Sequence, residues 1–339
     1  MKSILVTGGC GFIGSNFLVY FVNKYPNLKI INLDLLTYAG NLENTKEIEN
    51  KENYIFIQGD IRNPNLIQSI FEKYEIEGVI HFAAESHVDN SIENPEIFLQ
   101  TNILGTFQLL NLAYKHWMQK PFCPKKGKEA ARFLHVSTDE VYGSLGESGF
   151  FTEKTPYAPN SPYSASKAGS DFIVRSYHHT YGLNTIITNC SNNYGPKQHA
   201  EKLIPTILRK ALAQHPIPIY GDGKNIRDWL YVLDHCKGVE LAFFKGKSGE
   251  TYNIGGRNER TNNQIAQTIC KILDQKRPRS SGSYADLITY VPDRPGHDRR
   301  YAIDATKIER ELGWKAEENF ETGILKTIDW YLEKWDKKD

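Results

Sequence analysis

The chain has 339 residues, with 41 Lys and Arg against 40 Asp and Glu and a formal net charge of +1. That balance excludes a surface field able to wrap nucleic acid or hold an anionic membrane, so any phosphate is bound locally. The five cysteines (Cys10, Cys123, Cys190, Cys236, Cys270) are odd in number, far apart and without a CxxC pair or a histidine at zinc spacing, and they read as reduced thiols rather than metal ligands. Met1-Lys2-Ser3 runs directly into an apolar strand, with no long apolar leader, cleavage site or membrane-length run, which points to the cytoplasm.

In chain order, short apolar runs rich in β-formers fall at Ile4 to Val6, Lys29 to Leu33, Tyr54 to Ile57, Val79 to Phe82, Phe133 to Val136 and Thr185 to Thr188, with helix-length stretches between them. The alternation predicts βαβ units and a Rossmann-type, doubly wound α/β fold with a parallel sheet. The stretch Asn94 to Trp117 is broadly helical in period and rich in apolar residues, which suggests a face buried against a second subunit. Lys120 to Lys128 reads as a solvated basic loop. After about residue 190 the apolar runs shorten and Gly and Pro divide them, so residues 1–190 are expected to form the dinucleotide-binding part. Residues 191–339 then form a smaller mixed substrate-binding part, with some segments returning to the first.

Gly8, Gly11 and Gly14 in TGGCGFIG follow the first strand and open an amphipathic helix from Phe12 to Phe21. Glycine is needed there for a tight turn, for backbone approach to a pyrophosphate and for close helix packing, while the helix N-terminus faces the anion. Asp34 closes the second strand 20 residues after Gly14, where its carboxylate can accept from ribose hydroxyls. That charge, with no arginine directly after it, favours NAD over NADP. Asp60 and Ile61 after the third strand are placed to hold the adenine, and Ala83 and Ala84 after the fourth allow close approach to the cofactor.

Ser161-Pro162-Tyr163 combines a cap residue with proline at the first helical position, so Tyr163 and Lys167 share one helix face. An ammonium one turn away, and a positive nicotinamide ring, would favour the phenolate and make Tyr163 a base.

TGGCGFIG together with YSASK resembles the extended short-chain dehydrogenase/reductase family over essentially the whole chain. Thr138-Asp139-Glu140 after the fifth strand resembles, within it, the dTDP-glucose 4,6-dehydratases. The resemblance implies a lyase reaction with NAD regenerated at each turnover: Tyr163 takes the C4 hydroxyl proton, Thr138 bonds the C4 oxygen, Glu140 removes the C5 proton and Asp139 protonates the departing C6 hydroxyl. Two carboxyls are required because elimination takes a proton from carbon and delivers one to a poor leaving group.

The resemblance also assigns Phe12, Ile13, Leu35, Thr37, Thr101 and Asn193 to the cofactor. To the substrate it assigns Ser86, Asn192, Lys202, Leu203, Pro218, Ile219, Tyr220, Arg227, Asn262, Asp293, Arg294 and His297. It implies a homodimer and a place in deoxysugar biosynthesis, rhamnose included. This chain departs from the family pattern at Asn90, at Lys197, Gln198 and His199, and in the Lys120 to Lys128 insertion. Two other readings of the residues are an epimerase or decarboxylase on the same scaffold, against which Asp139 argues, and a non-enzymatic NAD sensor, which would not need Tyr163 and Lys167.

Overall fold

The computed structural model describes residues 1–293 and 295–336. Its centre is a seven-stranded, wholly parallel sheet, which in spatial order runs Tyr54–Gln58, Lys29–Asp34, Ser3–Thr7, Gly78–His81, Arg132–Thr138, Thr185–Cys190 and Thr251–Ile254. All six strands expected from the sequence are present. The seventh, Thr251–Ile254, is short and comes from the second half of the chain; it takes the sheet edge beside Thr185–Cys190, where four residues suffice because neighbouring elements supply the burial.

Both faces of the sheet are covered. One apolar layer joins Ile4, Val6, Phe17 and Phe21 to Val239 and Phe243. The opposite layer joins Leu5, Ile31 and Val79 to Leu109, Trp117 and Val174. Burial on both faces explains why the strands read as continuous apolar runs instead of alternating ones. A third apolar cluster, with Tyr194, Ile207, Trp229, Ile269 and Ile324, forms the core of the later, mixed part of the chain. There two smaller sheets form: Ile217–Tyr220 with Ile288–Val291, and Glu259–Thr261, Ile226–Tyr231 and Asn192–Tyr194.

The order of strands reverses between Ser3–Thr7 and Gly78–His81, since the chain leaves the first strand toward one edge and returns to its other side. In a doubly wound sheet this crevice at the carboxyl ends of the strands is where ligands bind. The Asn94 to Trp117 stretch is helical, but its middle, Leu99–Gly105, is wound as a π-helix. There the Asn102 amide reaches back to the Glu85 backbone and to Ser166 Oγ. Lys120 to Lys128 is largely exposed, as expected of a solvated loop, but its first part is more ordered than a loop. Met118–Lys120 and Cys123–Pro124 pair as a small antiparallel hairpin whose backbone is tied to Tyr181 and Trp117. The reason is Phe122, left-handed at φ 59°, at the turn beside Gly182. Among the described residues, no helix is long and apolar enough to cross a membrane.

Candidate active site

A cavity of about 500 Å³ runs along the carboxyl ends of the strands. It begins at the glycine turn. Gly8 stands at φ +73°, and a Cβ there would lie 2.6 Å from the Ala83 amide nitrogen, so the first and fourth strand ends touch backbone to backbone. A Cβ on Gly14 would meet the Gly8 carbonyl at 2.2 Å. Glycine at these two places is what lets the Phe12–Lys24 helix start against the turn, with its N-terminus facing the cavity.

Farther along, Asp34 Oδ2 accepts from the Cys10 amide and Oδ1 from the Leu36 amide, both at 2.8 Å. An ionised carboxylate has about four acceptor positions, so the held group retains capacity for ribose hydroxyls. Gly8, Gly11, Phe12, Ile13, Gly14, Asp34, Leu35, Thr37, Asp60, Ile61, Ala83, Ala84, Thr101 and Asn193 all line this cavity. The carboxylate of Asp60 is engaged by the Arg62 guanidinium at 2.6 Å, which leaves backbone and the Ile61 side chain to meet a base there. The glycine cradle, the oriented carboxylate and the helix N-terminus fit a dinucleotide.

At the other end stand the groups with reactive chemistry. Thr138, Asp139, Glu140, Tyr163 and Lys167 line one wall with Ser86, Asn192 and Lys202. Thr138 ends its strand and caps the following turn by accepting from the Glu140 amide. Its hydroxyl also bonds the Tyr163 phenol. Ser161 caps the Pro162–Tyr181 helix through a reciprocal bond pair with Ser164, and Pro162 starts it, which sets Tyr163 and Lys167 on its inner face.

Lys167 is buried and donates to the Val136 carbonyl at 2.8 Å, with His135 Nε2 3.5 Å away. Burial pushes its ammonium down to about 8, against the opposing charge of Asp171. The expected lowering of Tyr163 by this lysine does not arise from the chain's own groups. Burial, and then the charge of Glu140, hold the phenol well above its usual range, while the ammonium is turned onto a backbone carbonyl. A phenolate here therefore needs positive charge from a bound partner.

Asp139 is 1% exposed, and its Oδ2 has no hydrogen-bond partner. Burial, then the charges of Glu140 and Asp228, raise its carboxyl well above the usual range, which favours its protonated form. Glu140, half-buried on the same wall, faces the cavity.

The remaining substrate candidates separate into two groups. Arg227 is buried outside the cavity lining but within electrostatic reach of Asp139. Leu203, Pro218, Ile219, Tyr220, Asn262, Asp293 and His297 are not on the cavity wall: Ile219 is in the apolar core, Leu203 packs against that core, and exposed Tyr220 and Asp293 flank the largely covered His297 ring. Arg294 lies outside the described residues. Sequence reasoning missed Arg62, Glu85, Cys190, Gln198, His199 and Glu201 on the wall. Cys190 could have been found from its place at the carboxyl end of a central strand; the others sit on loops, where no period marks direction.

Of the departures from the family pattern, Gln198 and His199 line the cavity. Lys197, left-handed at φ 69°, donates to the Asn44 carbonyl at 2.8 Å and pairs with Glu47 at 3.1 Å, while His199 lies edge-on to Tyr38 and 3.5 Å from Glu201. Asn90 pairs with His87.

A family model described as GDP-mannose 4,6 dehydratase matches residues 5–327. A dTDP-glucose 4,6-dehydratase of Xanthomonas campestris pv. campestris is 55% identical over 98% of this chain and 93% of its own length. The crystal structure of dTDP-glucose 4,6-dehydratase from Bacillus anthracis in complex with NAD superposes with a TM-score of 0.87 at 45% identity, covering 99% of this chain and 98% of the other. A UDP-glucose 4-epimerase of Thermotoga maritima, solved with UDP-glucose, has the same fold at 28% identity and TM-score 0.85, with 98% and 100% covered. The nearly complete coverage and the much higher identity to the dehydratases agree with the adjacent acids Asp139 and Glu140 in the cavity, and the chain belongs to the dTDP-glucose 4,6-dehydratase family.

Proposed function

We propose that this protein converts dTDP-glucose to dTDP-4-keto-6-deoxyglucose and water, using one NAD that is regenerated at each turnover. The observation that carries the reading is Asp139, a buried carboxyl with an unpartnered oxygen and a raised pKa, next to a second carboxyl in the cavity that also bears Tyr163 and Lys167. A 4-epimerase has no step that needs a proton donor to a leaving hydroxyl.

NAD, which Gly8, Gly11, Gly14 and Asp34 would hold, would supply the hydride acceptor for C4 oxidation, the hydride donor for C6 and positive charge in the cavity that Tyr163 lines. Tyr163 then accepts the C4 hydroxyl proton, with Thr138 bonded to the same oxygen. The C4 ketone acidifies C5. Glu140 removes the C5 proton and Asp139 gives its own to the C6 hydroxyl, which departs as water; Glu140 afterwards returns a proton to C5. Lys167 holds positive charge beneath the cofactor site. Lys202, whose ammonium donates to the Ser86 carbonyl at 3.2 Å, and Arg227 are the cations suited to the diphosphate. In this reading residues 191–339 supply most of the nucleotide-sugar contacts.

The same reading includes a homodimer in the cytoplasm that serves deoxysugar synthesis. Leu99, Leu104 and Phe172 are 48%, 54% and 57% exposed on the two helical segments that carry Thr101 and Tyr163, an apolar face suited to a second copy. Mass spectrometry of dTDP-glucose incubated with the purified protein and no added reductant tests the chemistry. Loss of one water is expected; a product of unchanged mass would mean epimerisation.

A further inference from the structure

Arg227 is the second residue of the Ile226–Tyr231 strand and is almost completely buried. Its Nη1 donates to the Ile226 carbonyl at 2.8 Å and its Nη2 to the Asp298 carbonyl at 2.9 Å. The guanidinium carbon lies 4.2 Å from the centre of the Tyr301 ring. The turn from Asp298 to Tyr301 wraps the start of the strand, since the Ile226 amide donates to Arg299 O and the Tyr301 amide to Ile226 O.

Asp298 holds this turn by its side chain as well. Its Oδ2 accepts from the Tyr301 hydroxyl at 2.5 Å, and its Oδ1 accepts from Asn160 Nδ2 at 2.7 Å. Asn160 immediately precedes Ser161, the cap of the helix that carries Tyr163 and Lys167. One carboxylate thus ties the ring under Arg227 to the start of the catalytic helix. Tyr301 is in turn within electrostatic reach of Glu140.

We propose that Asp298 is a positioning residue that orients Arg227 toward the substrate diphosphate and fixes it relative to the helix bearing Tyr163. A guanidinium binds phosphate through a planar fork, so its plane must be set before the ligand arrives. Two carbonyls and one aromatic face set it here, and Asp298 supplies one carbonyl directly and the aromatic face through Tyr301. The inference rests on the reading of Arg227 as a diphosphate contact.

The test is calorimetric binding of dTDP, and steady-state turnover of dTDP-glucose, by the NAD-loaded protein and its Asp298→Ala, Asp298→Asn and Arg227→Met variants. Asparagine can still accept from Asn160 and can donate to the Tyr301 oxygen, so it should rescue. The expected result is dTDP affinity about tenfold weaker in Asp298→Ala, or about 1.4 kcal/mol, with KM rising more than kcat falls, and Asp298→Asn near wild type. Equal losses in Asp298→Ala and Asp298→Asn would overturn the hydrogen-bonded link. Wild-type affinity in Asp298→Ala with lost affinity in Arg227→Met would overturn the role of Asp298 and keep that of Arg227; wild-type affinity in Arg227→Met would remove both. Should Asp298→Ala not fold, Tyr301→Phe cuts the same link while keeping the ring, and unchanged dTDP affinity there would overturn the proposal.

Discussion

Asp139 and Glu140 are adjacent in sequence and opposite in environment: Asp139 is sealed with one oxygen unpartnered, while Glu140 is half-buried on the cavity wall. Thr138 ends the strand, and the short 3₁₀ turn that follows sets both acids on the cavity lining, the first almost fully buried and the second half-exposed. Two chemically similar groups are thereby given separate protonation tasks.

The separation predicts different failures. Asp139→Asn keeps the shape and removes the proton, and Glu140→Gln removes the C5 base; each should lower kcat about 100-fold or more. Turnover in deuterium oxide distinguishes them. Exchange of deuterium into C5 should persist in Asp139→Asn and vanish in Glu140→Gln.

Turnover should also have an alkaline limit. The Lys167 ammonium titrates at about 8, and Asp139 must carry its proton to act as an acid. Both groups work in their protonated forms, so kcat should fall as pH rises through about 8. A pH profile that stays flat to strongly alkaline values would contradict the assigned roles.

Gly8→Ala should separate cofactor retention from the chemistry of the acids. The new Cβ would be 2.6 Å from the Ala83 amide nitrogen at a left-handed φ of +73°. Left-handed backbone at a non-glycine residue costs about 1–3 kcal/mol, and relief would have to part the two strand ends that form the cofactor crevice. The expected outcome is loss of NAD from the purified protein together with a lower melting temperature, read by absorbance and by calorimetry.

Buried His235 predicts an acid sensitivity. Burial pushes its imidazole down to about 3, and its Nδ1 lies 2.9 Å from Asn193 Oδ1. Between that value and about 6.5 the unfolded chain binds a proton at this position and the folded chain does not, so folding stability falls as pH is lowered through the window. The slope from one such histidine is about 1.4 kcal/mol per pH unit. Denaturant unfolding of His235→Gln beside the wild-type protein should differ by that slope; parallel curves would place the sensitivity elsewhere.

Dimerisation is tested at Leu104 and Phe172. Replacing both exposed apolar side chains by glutamate should shift the mass measured by light scattering from dimer to monomer, with the helical content unchanged. A wild-type protein already monomeric at micromolar concentration would remove the dimer.

Much of the molecule was legible before any coordinate. Six strands of the central sheet, the glycine turn, Asp34, the capped helix with Tyr163 and Lys167, and the acid pair are local features: each follows from burial on a strand, from left-handed backbone or from helical spacing, all of which act over a few residues. The tertiary structure decided what depends on charge and contact across distant segments. It raised the Asp139 carboxyl by enclosing it beside Glu140 and Asp228 and raised the Tyr163 phenol, although the sequence had suggested that Lys167 would lower it. It turned Lys167 onto Val136, closed Asp60 with Arg62, paired Met118–Lys120 with Cys123–Pro124 in a hairpin and brought Thr251–Ile254 to the edge of the sheet. The reason is the same in each case: protonation and pairing depend on which groups share an enclosed volume, and the sequence alone sets the residue types but not their enclosure.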